Sequence, residues 1–299
     1  MRSSRLLVAI VLAACAKAPQ TAATTTPVAA VAPSGPLEAR VAKLEADNAK
    51  YREALEFLQQ VYQQQKQQQA ESEREELAPD GVFAVDIAAD VAAGQVDGPA
   101  TAAVTIVKCF DFACPYCARS APTMDELVKA YPGKVRVVYK NLVVHPQVAM
   151  PAHLASCAAA KQGKYLAFKT AFWDKAFAPY AESRDPSKLG RDNILAIAKG
   201  LGLDLKRLEA DMDGADCKAK IAADASDLEK FHVGSTPTFF INGQPIAGAL
   251  PLDAMKEVVD TQLKLVAASG VAPGKYYEVE VMGKGERKFR SKADPKPAH

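Results

Sequence analysis

The chain has 299 residues, 49% hydrophobic and 24% charged, enough apolar material for a substantial core in one or two domains. Its 37 basic side chains nearly match its 35 acidic ones, and setting aside Arg2 and Arg5 leaves 35 against 35. Nothing in that balance points to nucleic acid as a partner.

In chain order, the opening stretch MRSSRLLVAIVLAACAKAPQ has the form of an export signal. Arg2 and Arg5 make a positive start, residues 6–12 an apolar stretch too short to span a bilayer, and Ala13 and Ala14 the small residues of a cleavage site. Leu12-Ala13-Ala14-Cys15 resembles the bacterial lipobox, which implies a signal of residues 1–14 and a lipid anchor on Cys15. Ala16 beside that cysteine, rather than aspartate, points to the outer membrane. An ordinary secretory signal cleaved nearby is the alternative. Residues 15–36 are rich in Ala, Thr and Pro and read as an extended tether.

A seven-residue repeat follows. Leu37, Val41, Leu44, Asn48, Tyr51, Leu55, Leu58 and Tyr62 alternate at spacings of four and three, as in a coiled coil. Asn48 is then the polar position that fixes register, and Arg40 and Asp47 face Glu45 and Arg52 of a partner chain. Residues 37–78 are therefore expected to join two or three copies. A lone amphipathic helix lying on its own domain is the alternative.

Residues 79–283 alternate strand and helix signals, which argues for an α/β domain. Strands are expected at residues 103–110, 134–140, 238–241 and 245–247, the last two joined by a turn at Asn242-Gly243. Helices are expected at residues 115–130, 147–162, 164–176, 191–199, 205–212, 217–230 and 252–267. That order is the order of a thioredoxin fold with a helical insertion. Residues 284–299 read as a basic flexible tail.

Within this domain stands DFACPYC, with Cys114 where a strand gives way to a helix. Two thiols so spaced can hold half a zinc ion, close a small disulfide, or sit in a turn. At a helix start the sulfur meets unsatisfied N–H groups and the positive end of the dipole, which favour thiolate. Pro115 suits the first helical turn; it is expected to turn Cys114 to solvent and Cys117 inward. Cys114 is then the attacking or attacked sulfur and Cys117 the one that resolves a mixed disulfide. Zinc needs two further ligands, and neither a second Cys-x-x-Cys nor suitably spaced histidines exist, so no metal and no cofactor are expected.

VTIVKCFDFACPYC, VYKNLVVHPQVAMPAH, CAAAKQGKYLAFKTAFW and VGSTPTFFINGQPIAGAL, in that order, resemble the DsbA-like thiol-disulfide oxidoreductases of the thioredoxin superfamily over roughly residues 98–283. The resemblance implies a cis peptide at Pro237 beside the sulfurs, with Thr236 offering its backbone to an extended substrate. It also implies a structural disulfide between Cys157 and Cys217, two free thiols being the alternative. Cys109 is left as a core residue.

Two departures bear on the site. Lys108 stands where the family often has an acid, and Lys140 matches a family lysine in the next strand; two cations near Cys114 are expected to favour thiolate. Tyr116 replaces the histidine of the most oxidising members, which pulls the other way. Lys108, Lys140 and Tyr116 are thus candidates for tuning the sulfur, and the redox direction stays open.

The expected function is a periplasm-facing thiol-disulfide oxidoreductase of the bacterial envelope. Its expected partners are cysteine-containing exported proteins and a membrane protein that resets the disulfide. A reading of another class is a lipid-anchored assembly protein whose thioredoxin-like domain merely grips extended peptides.

Overall fold

The computed structural model describes residues 36–296; the expected signal, most of the tether and Cys15 lie outside them. Two units divide between Gln65 and Lys66. A single 39-residue helix, α1 (Leu37–Glu75), runs from one into the other and has no buried residue. In the first unit the heptad positions are bare: Leu37, Val41, Leu44, Tyr51, Leu55, Leu58 and Tyr62 are all exposed. Such an apolar row on a long polar helix lacks the packing that normally holds helices in proteins.

The second unit is an α/β domain. Its elements after α1 are α2 (Ala88–Ala92), β1 (Val96–Asp97), β2 (Val104–Phe110), α3 (Pro115–Ala130) and β3 (Val135–Asn141). Then come α4 (Pro146–Ala160), α5 (Tyr165–Phe172), a π-helical turn (Trp173–Phe177) and α6 (Ala178–Ser183). The chain continues through α7 (Arg191–Gly200), α8 (Leu205–Asp213), α9 (Ala215–Glu229), β4 (Thr238–Ile241), β5 (Gln244–Ala247) and α10 (Leu252–Ala268). The sheet order is β1-β3-β2-β4-β5, with β2 and β3 parallel and the other pairs antiparallel.

Burial explains the composition of the central strands. β2 (VTIVKCF) and β3 (VRVVYKN) are covered on both faces, so apolar side chains point both ways and the polar Thr105, Lys108, Arg136, Lys140 and Asn141 are buried with them. Side-chain alternation still sorts them. Ile106, Phe110, Val137, Tyr139 and Phe239 share a core with α3, α10 and the inserted helices. Val107, Cys109, Val138 and Phe240 share another with Phe83, Val85, Leu228, Phe231 and Val281.

The β4–β5 hairpin turns through Asn242 and Gly243, both with positive φ, as a two-residue hairpin turn requires. A Cβ on Gly243 would sit 2.8 Å from Val82 Cγ1 and 2.9 Å from Val281 Cγ1, so the position admits no side chain. Asn242 adds a hydrogen bond from the Thr105 N–H to its Oδ1 at 2.9 Å, which ties the turn to β2.

The structure corrects one expectation about organisation. Residues 284–296 do not form a free tail. Glu286 bridges Phe83, Ser291 bridges Leu77, and Phe289 stacks on His232 with ring centroids 4.1 Å apart. Arg290, buried, donates to Asp80 and Glu286. Basic residues that look solvated in sequence are held by acids far away along the chain.

Candidate active site

β2 ends at Phe110, and the next four residues carry the chain over the sheet edge into α3. Asp111 organises that passage. One of its buried carboxylate oxygens accepts the Ala113 N–H at 2.6 Å, the other the N–H groups of Val144 and His145 at 2.7 and 2.8 Å. A single side chain thus fastens the loop before Cys114 to the loop after β3. From the other side His153 of α4 accepts the Phe112 N–H on Nε2 at 3.3 Å, with Nδ1 2.8 Å from Asn141 Oδ1. Burial pushes His153 down to about 4, against the opposing pull of Asp111 and Asp224, so its ring is neutral and donates from Nδ1. Asn141 in turn donates to Asp224 of α9 at 2.7 Å.

Cys114 is the N-cap of α3, with extended backbone, and Pro115 occupies the first helical position. The expectation that it faces solvent is not met: Cys114 is 3% exposed, and its sulfur lies 3.3 Å from the Thr236 carbonyl oxygen. The Thr236-Pro237 peptide is cis. Its thiol is lowered to about 5, first by a hydrogen bond from Cys117, and further by Thr236 and the amides of Cys117 and Tyr116, which together outweigh burial. Cys117, fully buried one turn later, is pushed far up, first by burial and then by that same hydrogen bond. The arrangement separates one nucleophile from one protonated reserve.

Lys108 and Lys140 fall on opposite faces of the sheet. In the parallel register Lys108 lies beside Tyr139, whereas Lys140 lies beside Cys109. Lys108 is 1% exposed, and its amine donates to the Cys117 carbonyl oxygen at 3.2 Å. Burial pulls it down to about 7. Lys140 does not tune Cys114. Its amine is enclosed by Asp90, Asp224 and Asp227 at 3.0, 3.2 and 3.4 Å on the face away from the sulfurs. Burial alone would lower Lys140, but Asp224 and Asp90 reverse this and raise it. Tyr116 is half exposed, stacked under Arg119 at 4.9 Å, and sits between the two cysteines in sequence.

Cys157 and Cys217 are joined by a disulfide that links α4 to α9, apart from the reactive pair. Cys109 is buried and free, its thiol pushed up by burial. Among the described residues no three His, Cys, Asp or Glu side chains gather as metal ligands do.

Asp111 and His153 carry no role in the sequence analysis although both lie in the quoted motifs. For Asp111 a local signal exists, since Asp two residues before a loop amide favours this kind of turn. For His153 there is none, because its partners Phe112 and Asn141 meet it only through the fold.

Comparison with known proteins agrees with this geometry. A family model described as Thioredoxin matches residues 90–261. The Na(+)/H(+) antiporter NhaA 3 of Salinispora tropica is 33% identical over 185 residues, which are 61% of this chain and 26% of that protein. The chain therefore spans about a quarter of the length of that relative. α-DsbA1 of Wolbachia pipientis superposes with a TM-score of 0.51 at 17% identity, over 58% of this chain and 92% of its own. Oxidised BdbD of Bacillus subtilis gives 0.50 at 20% identity, over 63% and 99%. These two likenesses are of fold: a thioredoxin-like sheet with the DsbA-type insertion.

Proposed function

This chain belongs to the thioredoxin family, and from that premise we propose that it is a thiol-disulfide oxidoreductase acting through Cys114 and Cys117. The observation that carries the reading is the placement of Cys114 at the N-cap of α3, its sulfur 3.3 Å from the Thr236 carbonyl oxygen before the cis Pro237, with Cys117 fully buried one turn later. Reduced, Cys114 attacks a substrate disulfide as thiolate, and Cys117 then displaces the substrate from the mixed disulfide. Oxidised, the pair takes electrons from two substrate thiols by the reverse steps. Thr236, whose carbonyl reaches the sulfur, supplies the backbone edge along which an extended substrate pairs.

Stabilising the thiolate stabilises the reduced protein, and that favours giving the disulfide away. The bare heptad row of α1 supports a second element of the proposal, assembly into a dimer or trimer, which brings several sites together and suits an isomerase or reductase. A reduction potential near about −120 mV assigns an oxidase; one near or below about −200 mV assigns the other pair. The proposed setting is the bacterial envelope, facing the periplasm from a lipid anchor on Cys15 in the outer membrane. There its substrates are cysteine-containing exported proteins and a membrane partner resets the disulfide. The test is insulin reduction and oxidation of a reduced, unfolded substrate, by wild type and Cys114→Ser. If wild type does neither, the proposal is wrong.

A further inference from the structure

Gln95 presents an amide with nothing to bond. The residue is 1% exposed and its backbone is pinned on both sides, the N–H donating to the Asp90 carbonyl oxygen and the carbonyl accepting the Tyr139 N–H, each at 2.9 Å. Yet neither Nε2 nor Oε1 of its side chain finds a partner among the described residues. Buried amides are nearly always paired, so an orphan held this firmly marks a place where the partner comes from outside the chain. Gln95 lines a cavity of about 410 Å³ between α2, α4 and α9, within the size range of small-molecule sites.

Three charges line the same cavity: Lys161, directly after α4, and Asp216 and Lys220 of α9. Lys161 donates to Asp216 at 2.8 Å and to Asp211 at 2.9 Å, and Asp216 is largely exposed, so both signs stand open to an incoming ligand. Lys220 donates to Asp224 at 2.6 Å and to Asp90, and keeps a third N–H. Cys157 completes the set. It lines the cavity, whereas Cys217, its disulfide partner, is fully buried and lies behind the wall.

We propose that this cavity binds a small peptide thiol of the glutathione type, and that Cys157 is the sulfur the ligand attacks. The Gln95 amide both donates and accepts, which is the complement of a peptide group. Two lysines and one aspartate mirror a ligand that carries two carboxylates and one ammonium. The site stands independently of the role given to Cys114 and Cys117. In the exchange the ligand thiolate attacks Cys157 Sγ and a bond forms between those two sulfurs. The Cys157–Cys217 bond breaks, and its electron pair leaves on Cys217 Sγ, which takes up the proton that the ligand thiol gave to solvent. Cys217 is the third residue of α9, and the N-cap Gly214 has no side chain to serve the first N–H groups. Those groups and the helix dipole stabilise the departing thiolate, and a stabler leaving group departs faster.

The test uses the full chain with Cys114→Ala and Cys117→Ala, which leaves Cys157–Cys217 as the one disulfide among the described residues. After incubation with reduced glutathione without oxygen, and quenching at intervals with N-ethylmaleimide in denaturant, peptide mass spectrometry is expected to find glutathione on Cys157 and maleimide on Cys217. The rate is expected to saturate with glutathione and to fall when S-methylglutathione is added, a ligand that keeps every polar group but has no free thiol. Mercaptoethanol, compared at equal thiolate concentration, is expected to react without saturation and about tenfold more slowly, the scale of two lost hydrogen bonds. Gln95→Leu is expected to erase that tenfold preference and to leave the mercaptoethanol rate unchanged. Glutathione on Cys217 instead of Cys157, no adduct at all, or a rate that S-methylglutathione leaves unmoved overturns the proposal, and none of these results needs the Gln95 variant to fold. A Gln95→Leu chain that keeps the full preference overturns the role given to the amide.

Discussion

The low thiol at Cys114 makes a prediction that turns on the shape of a pH profile. With a midpoint of about 5, roughly nine-tenths of Cys114 is thiolate at pH 6, so its alkylation rate rises by only about a tenth between pH 6 and pH 9. A cysteine at the ordinary value of 9.0 is about a thousandth ionised at pH 6 and half ionised at pH 9, a rise of about 500-fold. The comparison is internal to one sulfur, so the shielding of Cys114 by the Thr236-Pro237 loop cancels. The assay is iodoacetamide labelling of the reduced protein, quenched at intervals and read site by site by mass spectrometry. Cys117→Ala removes the hydrogen bond that contributes most to the shift and is expected to move the midpoint upward. Cys117→Ser keeps a donor there and is expected to leave it well below that of Cys117→Ala. A wild-type rate that climbs several hundredfold above pH 6 refutes the reasoning; an unmoved midpoint in Cys117→Ala refutes the assigned cause.

Three further outcomes are expected. Lys140→Met leaves Asp90 and Asp224 with Lys220 as their remaining cation and should lower the unfolding free energy by about 2 kcal/mol in urea titrations, the scale of a lost hydrogen bond to a charged group, while the Cys114 profile stays where it was. Replacing Cys157 and Cys217 together by alanine opens a link across 60 residues and should cost about 4 kcal/mol in the chain-entropy description, read from the same titrations. Leu55→Asp, on the exposed row of α1, should convert a sedimenting dimer or trimer to monomer without changing dithiobis-nitrobenzoate kinetics. A wild-type chain that sediments as a monomer removes the coiled-coil proposal.

Much of the fold was legible because its longer elements obey local rules. VTIVKCF is β-branched and apolar, Pro115 marks a helix start, and Asn242-Gly243 marks a hairpin. The parts that escaped notice lack such signals. β1 has two residues and α2 five, too few for any period to register. The docking of residues 284–296 depends on pairs such as Arg290 with Asp80, 210 positions apart, and a run of lysines and arginines looks the same whether such partners exist or not.

The reactive pair was legible for the same reason: Cys114, Pro115 and Cys117 are neighbours in sequence, and their chemistry follows from a helix start. The lysines were harder. Lys108 and Lys140 look equivalent, each in an apolar strand and each a cation near a sulfur motif, yet a strand alternates its side chains with a period of two residues. The register of β2 on β3 puts Lys140 beside Cys109 and Lys108 beside Tyr139, so the two amines end on opposite faces. That single parity decides their chemistry. Lys140 meets three carboxylates and is fixed as a structural cation, while Lys108 meets the Cys117 carbonyl oxygen and the Phe239 ring and, among the described residues, no carboxylate. Exchanging their faces would exchange their surroundings: Lys108 would be the cation enclosed by Asp90, Asp224 and Asp227, and Lys140 the amine beside the active-site helix.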